Sequence, residues 1–144
     1  MSETLCLDAG IFVKALIPEE PLSQQQKAME LVERASSGVV VAPAFTWAEV
    51  GSVLRKKIRQ SRVPSLDAID AWQDFLALPV TYLDSPAIHV RAWEIAERCN
   101  LPTLYAACYL ACAELESAVF WTTDEAFRRE VGTEARTGVE ILPR

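Results

Sequence analysis

Four short apolar runs punctuate the chain: Leu5-Cys6-Leu7, Val39-Val40-Val41, Val80 to Leu83 and Ala118 to Trp121. Each is too short to be a buried helix, and stretches with helical spacing separate them. They therefore read as buried strands. A weaker run, Val139 to Leu142, lies near the end. Strands that alternate with helices build a mostly parallel sheet covered on both faces. The expected fold class is thus α/β, with three layers in the order α/β/α. At 144 residues the chain suits a single domain, taken as residues 1–144, with no internal repeat or linker.

The spacing predicts helices over Ile11 to Ile17 and over Leu22 to Ala35, with Gly38 as the stop signal. Pro43 stands where the next helix can begin, and that helix runs from about Ala44 to Gln60. Ser65 is expected to cap a helix over Leu66 to Leu78. Asp84-Ser85-Pro86 opens another, which Asn100 and Pro102 end. Thr103 to Glu114 is apolar almost all round and reads as a helix buried in the body of the domain. A short helix over Glu125 to Val131 follows the fourth strand.

Two strands run straight into an aspartate. Leu7 is followed by Asp8, and Trp121-Thr122-Thr123 by Asp124. Ligand sites in open α/β sheets form outside the carboxyl ends of the strands, so both acids are site candidates. Both are also good helix N-caps, and both readings stay open. The helix after the second strand adds Glu49. It lies at the edge of an apolar arc made by Trp47, Val50, Val53, Leu54 and Ile58. A half-buried glutamate either reaches out to water or meets a cation. Clustered carboxylates repel one another unless a cation sits among them, and oxygen-only ligands suit Mg²⁺ or Mn²⁺.

Charge and composition narrow the function. The net charge of -6 argues against a broad basic face for nucleic acid, while leaving room for a local or metal-bridged contact. The cationic run Arg55, Lys56, Lys57, Arg59 and Arg62 reads first as a solvated helix end and second as a phosphate-contacting patch. Cys6, Cys99, Cys108 and Cys112 form no C-x-x-C pair, so reduced thiols in the core are expected rather than a zinc site. The single histidine, His89, reads as a surface or boundary residue. No apolar run approaches the roughly 18 residues of a membrane span, and Met1-Ser2-Glu3-Thr4 does not resemble a signal peptide. A cytoplasmic location without membrane contact is expected.

The sequence resembles a PIN domain along essentially its whole length. The likeness is carried by Leu7-Asp8-Ala9, Trp47-Ala48-Glu49-Val50, Leu101-Pro102-Thr103-Leu104-Tyr105 and Thr122-Thr123-Asp124-Glu125-Ala126-Phe127, in that order and spacing. It is strongest to VapC-type toxins of bacterial toxin–antitoxin pairs. The resemblance implies a ribonuclease dependent on Mg²⁺ or Mn²⁺, homodimerisation, and neutralisation by a small cognate antitoxin. On the motif matches, Asp8, Glu49 and Asp124 fall on family acidic and metal-binding positions. Thr122 falls on the hydroxyl position beside the last acid.

Two positions depart from that pattern. Gly10 stands where similar chains carry Ser or Thr, which implies one lost hydrogen bond. In Tyr105-Ala106-Ala107, Ala106 stands at a catalytic position where a further aspartate is expected. A clean Asp-to-Ala change in intact surroundings reads as inactivating, so the chain as written is expected to be impaired or inactive. The alternative is a degenerate, non-catalytic PIN module that binds RNA or a protein partner. A receiver-type domain would need an acidic pair after the first strand and a late lysine, and a haloacid-type phosphatase an aspartate at position 10. Asp8-Ala9-Gly10 and Glu140-Ile141-Leu142 supply none of these.

Overall fold

The computed structural model describes residues 3–143; Met1 and Ser2, part of the N-terminus read above as lacking a signal peptide, lie outside them with Arg144. Five strands form one sheet: β1 (Leu5–Leu7), β2 (Val40–Pro43), β3 (Thr81–Leu83), β4 (Val119–Thr122) and β5 (Val139–Ile141). Their order is β3-β2-β1-β4-β5, and every neighbouring pair is parallel. The short apolar runs supply the three central strands, and β1 is buried along its whole length. The weak terminal run also pairs, with Thr122 opposite Ile141.

Among the described residues, seven helices cover the sheet: α1 (Ala9–Leu16), α2 (Leu22–Glu33), α3 (Thr46–Arg59), α4 (Ser65–Ala77), α5 (Pro86–Arg98), α6 (Tyr105–Leu115) and α7 (Glu125–Val131). Short 3₁₀ turns span Arg34–Ser37 and Gly132–Glu134. Period-two alternation divides the core in two. Leu5 and Leu7 face Ile11, Phe12, Leu31, Val50 and Phe75 on the α1–α4 side, whereas Cys6 faces Ile95, Leu110, Cys112 and Phe120 on the α5–α7 side. This is the three-layer α/β/α arrangement. Among the described residues, no helix is long and apolar enough to cross a membrane.

Several local expectations shift. Pro43 does not begin a helix; it ends β2, opposite Leu83 of β3. Ser65 is the first residue of α4 rather than its cap, a place taken by Pro64 without a side-chain hydrogen bond. Ser85 does cap α5, accepting from the Ile88 amide, with Pro86 at the first position. Gly38 adopts φ 73° at the end of the 3₁₀ turn, a conformation that costs glycine least. Trp47 leaves the apolar arc assigned to it and is 53% exposed. The first turn of α6 is open to solvent at Tyr105, although the rest of that helix is mostly buried. Cys6 and Cys112 are buried thiols, but Cys99 and Cys108 are only partly covered; all four are unpaired. His89 is exposed, with Nε2 2.6 Å from Asp84 Oδ1.

Two groups of ion pairs join distant parts of the chain. Lys57 is not part of a solvated helix end: it is buried and pairs with Glu19 in the loop after α1, which Arg62 also reaches at 3.1 Å. Arg91 on α5 is buried among acids. Its Nε donates to Glu114 Oε1 at 2.6 Å, its Nη1 to Glu134 Oε1 at 2.8 Å and to Glu94, and its Nη2 to the Glu134 carbonyl at 2.9 Å. One guanidinium thus ties α5, α6 and the 132–134 turn together.

Candidate active site

The site lies where the strand order reverses. β1 has β2 on one side and β4 on the other, so the segments leaving β1 and β4 diverge above their carboxyl ends. Asp8 leaves β1 and Asp124 leaves β4. With Leu7 opposite Trp121, the register sets Asp8 beside Thr122, whose hydroxyl lies between the two acids.

Asp8 is a helix N-cap, and its second oxygen is held from β4. Its Oδ1 accepts from the Ile11 amide at 3.0 Å and caps α1. Its Oδ2 accepts from Thr122 Oγ1 at 2.6 Å and from the Thr123 amide at 3.2 Å. Three donors therefore fix this carboxylate and favour its charged form. Burial nevertheless holds its pKa above the usual aspartate range, and the neighbouring charge of Asp124 adds to the shift. Thr122 is 2% exposed and works in both directions, since its oxygen also accepts from the Asp124 amide at 3.1 Å. Asp124 is exposed, and its Oδ1 caps α7 by accepting from Phe127 N at 2.9 Å.

Glu49 comes from the first turn of α3. It is half-buried, and its Oε1 is enclosed without a hydrogen-bond partner. Burial raises its pKa and the charge of Asp8 raises it further. The side chain is thus half open to solvent, while one of its oxygens stays enclosed. Ala106 is half-buried in the first turn of α6 and packs at the edge of the α5–α7 core. The positive end of that helix would favour a carboxylate there.

Thr123 escaped the sequence reading. The Thr-Thr-Asp run was visible, but only its first hydroxyl was assigned. A side chain at Gly10 would run directly into Thr123 Oγ1. Thr123 therefore occupies the space that a Ser or Thr at position 10 would fill, and its amide also serves Asp8.

Among the described residues, no three His, Cys, Asp or Glu side chains are grouped closely enough to hold an ion by themselves. The acids present still fit a hard divalent cation. Asp8 is desolvated yet held for charge by three donors, Asp124 repels it, and Glu49 carries an unpartnered oxygen. Mg²⁺ needs only one or two carboxylates, with water and substrate phosphate completing its shell.

Comparison with known proteins bears on the fold and the family. The family described as PIN domain matches residues 5–130. The structure titled PAE2754 from Pyrobaculum aerophilum superposes with a TM-score of 0.68 at 20% identity, covering 97% of this chain and 92% of that one. VapBC2 from Rickettsia felis, bound to a DNA fragment from its promoter, gives 0.64 at 18% identity, covering 97% and 99%. DNA-bound VapBC from Salmonella typhimurium gives 0.63 at 16% identity, covering 97% and 98%. Comparison with curated proteins gives no match. At these identities the superpositions speak for the fold.

Proposed function

The chain belongs to the PIN-domain family, and on that footing we propose that it is a Mg²⁺- or Mn²⁺-dependent endoribonuclease of the VapC toxin type. The observation that carries the reading is the pairing of Asp8 with Asp124 at the strand ends, beside a glutamate whose buried oxygen has no partner. Asp8, Glu49 and Asp124 would hold the cation. A divalent ion bound there supplies charge neutralisation and an activated water for phosphodiester hydrolysis. Thr122 orients Asp8 and favours its charged form by donating to Oδ2, and the Thr123 amide donates to the same oxygen. Lys14 and Thr123 line the open spaces on both sides of this point, which gives a substrate phosphate a cation to approach in an otherwise acidic protein.

The partner reading follows the same line. A groove of about 420 Å³ between α3 and α4 is lined by Trp47, Gly51, Leu54, Ile69 and Trp72. It suits the apolar face of a short antitoxin segment. Val90 and Trp93 on α5 are exposed and suit a homodimer face. Such a protein works in the cytoplasm, where its RNA is.

Ala106 favours a second reading, a PIN module that binds without cleaving. The test is degradation of total cellular RNA with Mg²⁺ by the chain as written and by Ala106→Asp. The expected result is near-inactivity in the first and cleavage in the second. If Ala106→Asp stays inactive, the non-catalytic reading takes its place.

A further inference from the structure

Among the described residues, three enclosed side-chain oxygens lack a well-formed hydrogen bond: Thr46 Oγ1, Glu49 Oε1 and Tyr109 OH. They share one place. Thr46 and Glu49 are three residues apart on the first turn of α3, on neighbouring positions of one helix face. The Tyr109 hydroxyl lies beside the Thr46 hydroxyl and feels the charge of Glu49. Tyr109 cannot swing elsewhere. Its ring meets Phe45 edge-on at 5.6 Å and stacks on Phe120 at 5.9 Å, and it is 2% exposed. Thr46 is fully buried.

An enclosed polar group without a partner costs about 1–3 kcal/mol. The Tyr109 and Thr46 hydroxyls can serve one another, which leaves one hydroxyl hydrogen and Glu49 Oε1 to be satisfied. A water molecule is the smallest group that joins them, since it needs two to four polar neighbours. Tyr109 O–H donates to Thr46 Oγ1, Thr46 O–H donates to the water, and the water donates to Glu49 Oε1.

We infer that Tyr109 and Thr46 hold a buried water against Glu49 Oε1 and so position the Glu49 carboxylate for a divalent cation shared with Asp8. Tyr109 and Thr46 are positioning residues; neither touches substrate. The inference rests on the reading of Asp8 and Glu49 as cation ligands. It adds to that reading why a tyrosine hydroxyl is retained on α6 in the middle of an aromatic cluster, where phenylalanine would pack equally well.

The test is Mn²⁺ titration calorimetry on the wild-type chain and on Asp8→Asn, Tyr109→Phe, Thr46→Val and Thr46→Ser, with melting of each metal-free protein. Support of a ligand by groups behind it is worth about tenfold or more in metal affinity. Tyr109→Phe and Thr46→Val are expected to bind Mn²⁺ about tenfold more weakly without a lower metal-free melting temperature, and Thr46→Ser to bind as wild type. A purely structural hydroxyl would lower the melting temperature and leave affinity alone, which overturns the inference. If the wild type binds Mn²⁺, Asp8→Asn does not, and Tyr109→Phe binds like the wild type, the cation reading stands and this inference falls. If the wild type binds none, or Asp8→Asn binds equally, the cation reading itself fails and the positioning role goes with it.

Discussion

Two groups of carboxylates in this protein receive opposite treatment. Around Arg91, the acids Glu94, Glu114 and Glu134 surround a guanidinium that the chain itself provides. At the strand ends, Asp8, Glu49 and Asp124 have no side-chain cation among their contacts, and Asp8 and Glu49 are held above their usual pKa values. Hydrogen bonding to Arg91 holds Glu134 below its usual value instead. Acids that bring their own cation hold structure together. Acids brought together without one raise the free energy of the fold, and the proposed divalent cation would relieve that cost.

The largest effect should come from removing the built-in cation. Arg91→Met keeps most of the side-chain volume but strands Glu114, whose side chain is 7% exposed, beside two further acids. Breaking one partner of a buried ion pair costs about 3–5 kcal/mol. Urea unfolding should show a loss of that size; a loss below about 1 kcal/mol, the range of a surface pair, would mean that the two regions do not differ as described.

At the strand ends the sign should reverse. Glu49→Gln removes a charge that burial and Asp8 disfavour; because solvent screens the half-open side chain, the metal-free protein should gain only a few tenths of a kcal/mol, or about 1 °C in melting temperature. The same variant should lose affinity for Mn²⁺. A clearly destabilised Glu49→Gln would show that a cationic group of the fold already neutralises the carboxylate.

The smallest effect is in pH. The folded-state pKa values of Asp8 and Glu49 lie above those of the unfolded chain, so the folded state binds their protons more tightly. Their stability contribution is present at acid pH and is lost as pH rises through the folded values. Glu134 behaves oppositely: its contribution is present above the ordinary carboxylate range and is lost as pH falls through its depressed value. Melting of metal-free Glu49→Gln between about pH 4 and 7 should therefore fall less with rising pH than that of the wild type. Parallel curves would remove Glu49 from the account.

The sequence made the first contrast only half visible. Short apolar runs separated by helical spacing carried the sheet and its layers, because a fully buried parallel strand leaves that trace. Asp8 and Asp124 were legible because each follows a strand directly. Arg91 was not, since Glu114 and Glu134 lie 23 and 43 residues away along the chain. Lys57 was read as solvated for the same reason, its partner Glu19 being 38 residues away. Pro43 carried a helix-start signal that pairing with β3 overrode. Tyr109 looked like one more apolar position on α6; only the packing of α3 against it reveals the hydroxyl group.

The central claim is that the acids at the strand ends, unlike those around Arg91, are completed by a divalent cation. Its most direct test is thermal melting with increasing Mn²⁺ for the wild type, Asp8→Asn and Ala106→Asp. Ala106→Asp adds a carboxylate at a half-buried position and should start about 1 kcal/mol less stable without metal. Mn²⁺ should raise the wild-type melting temperature, raise that of Ala106→Asp more, and leave Asp8→Asn unchanged. Equal shifts in all three proteins, or no shift in either the wild type or Ala106→Asp, would contradict the claim.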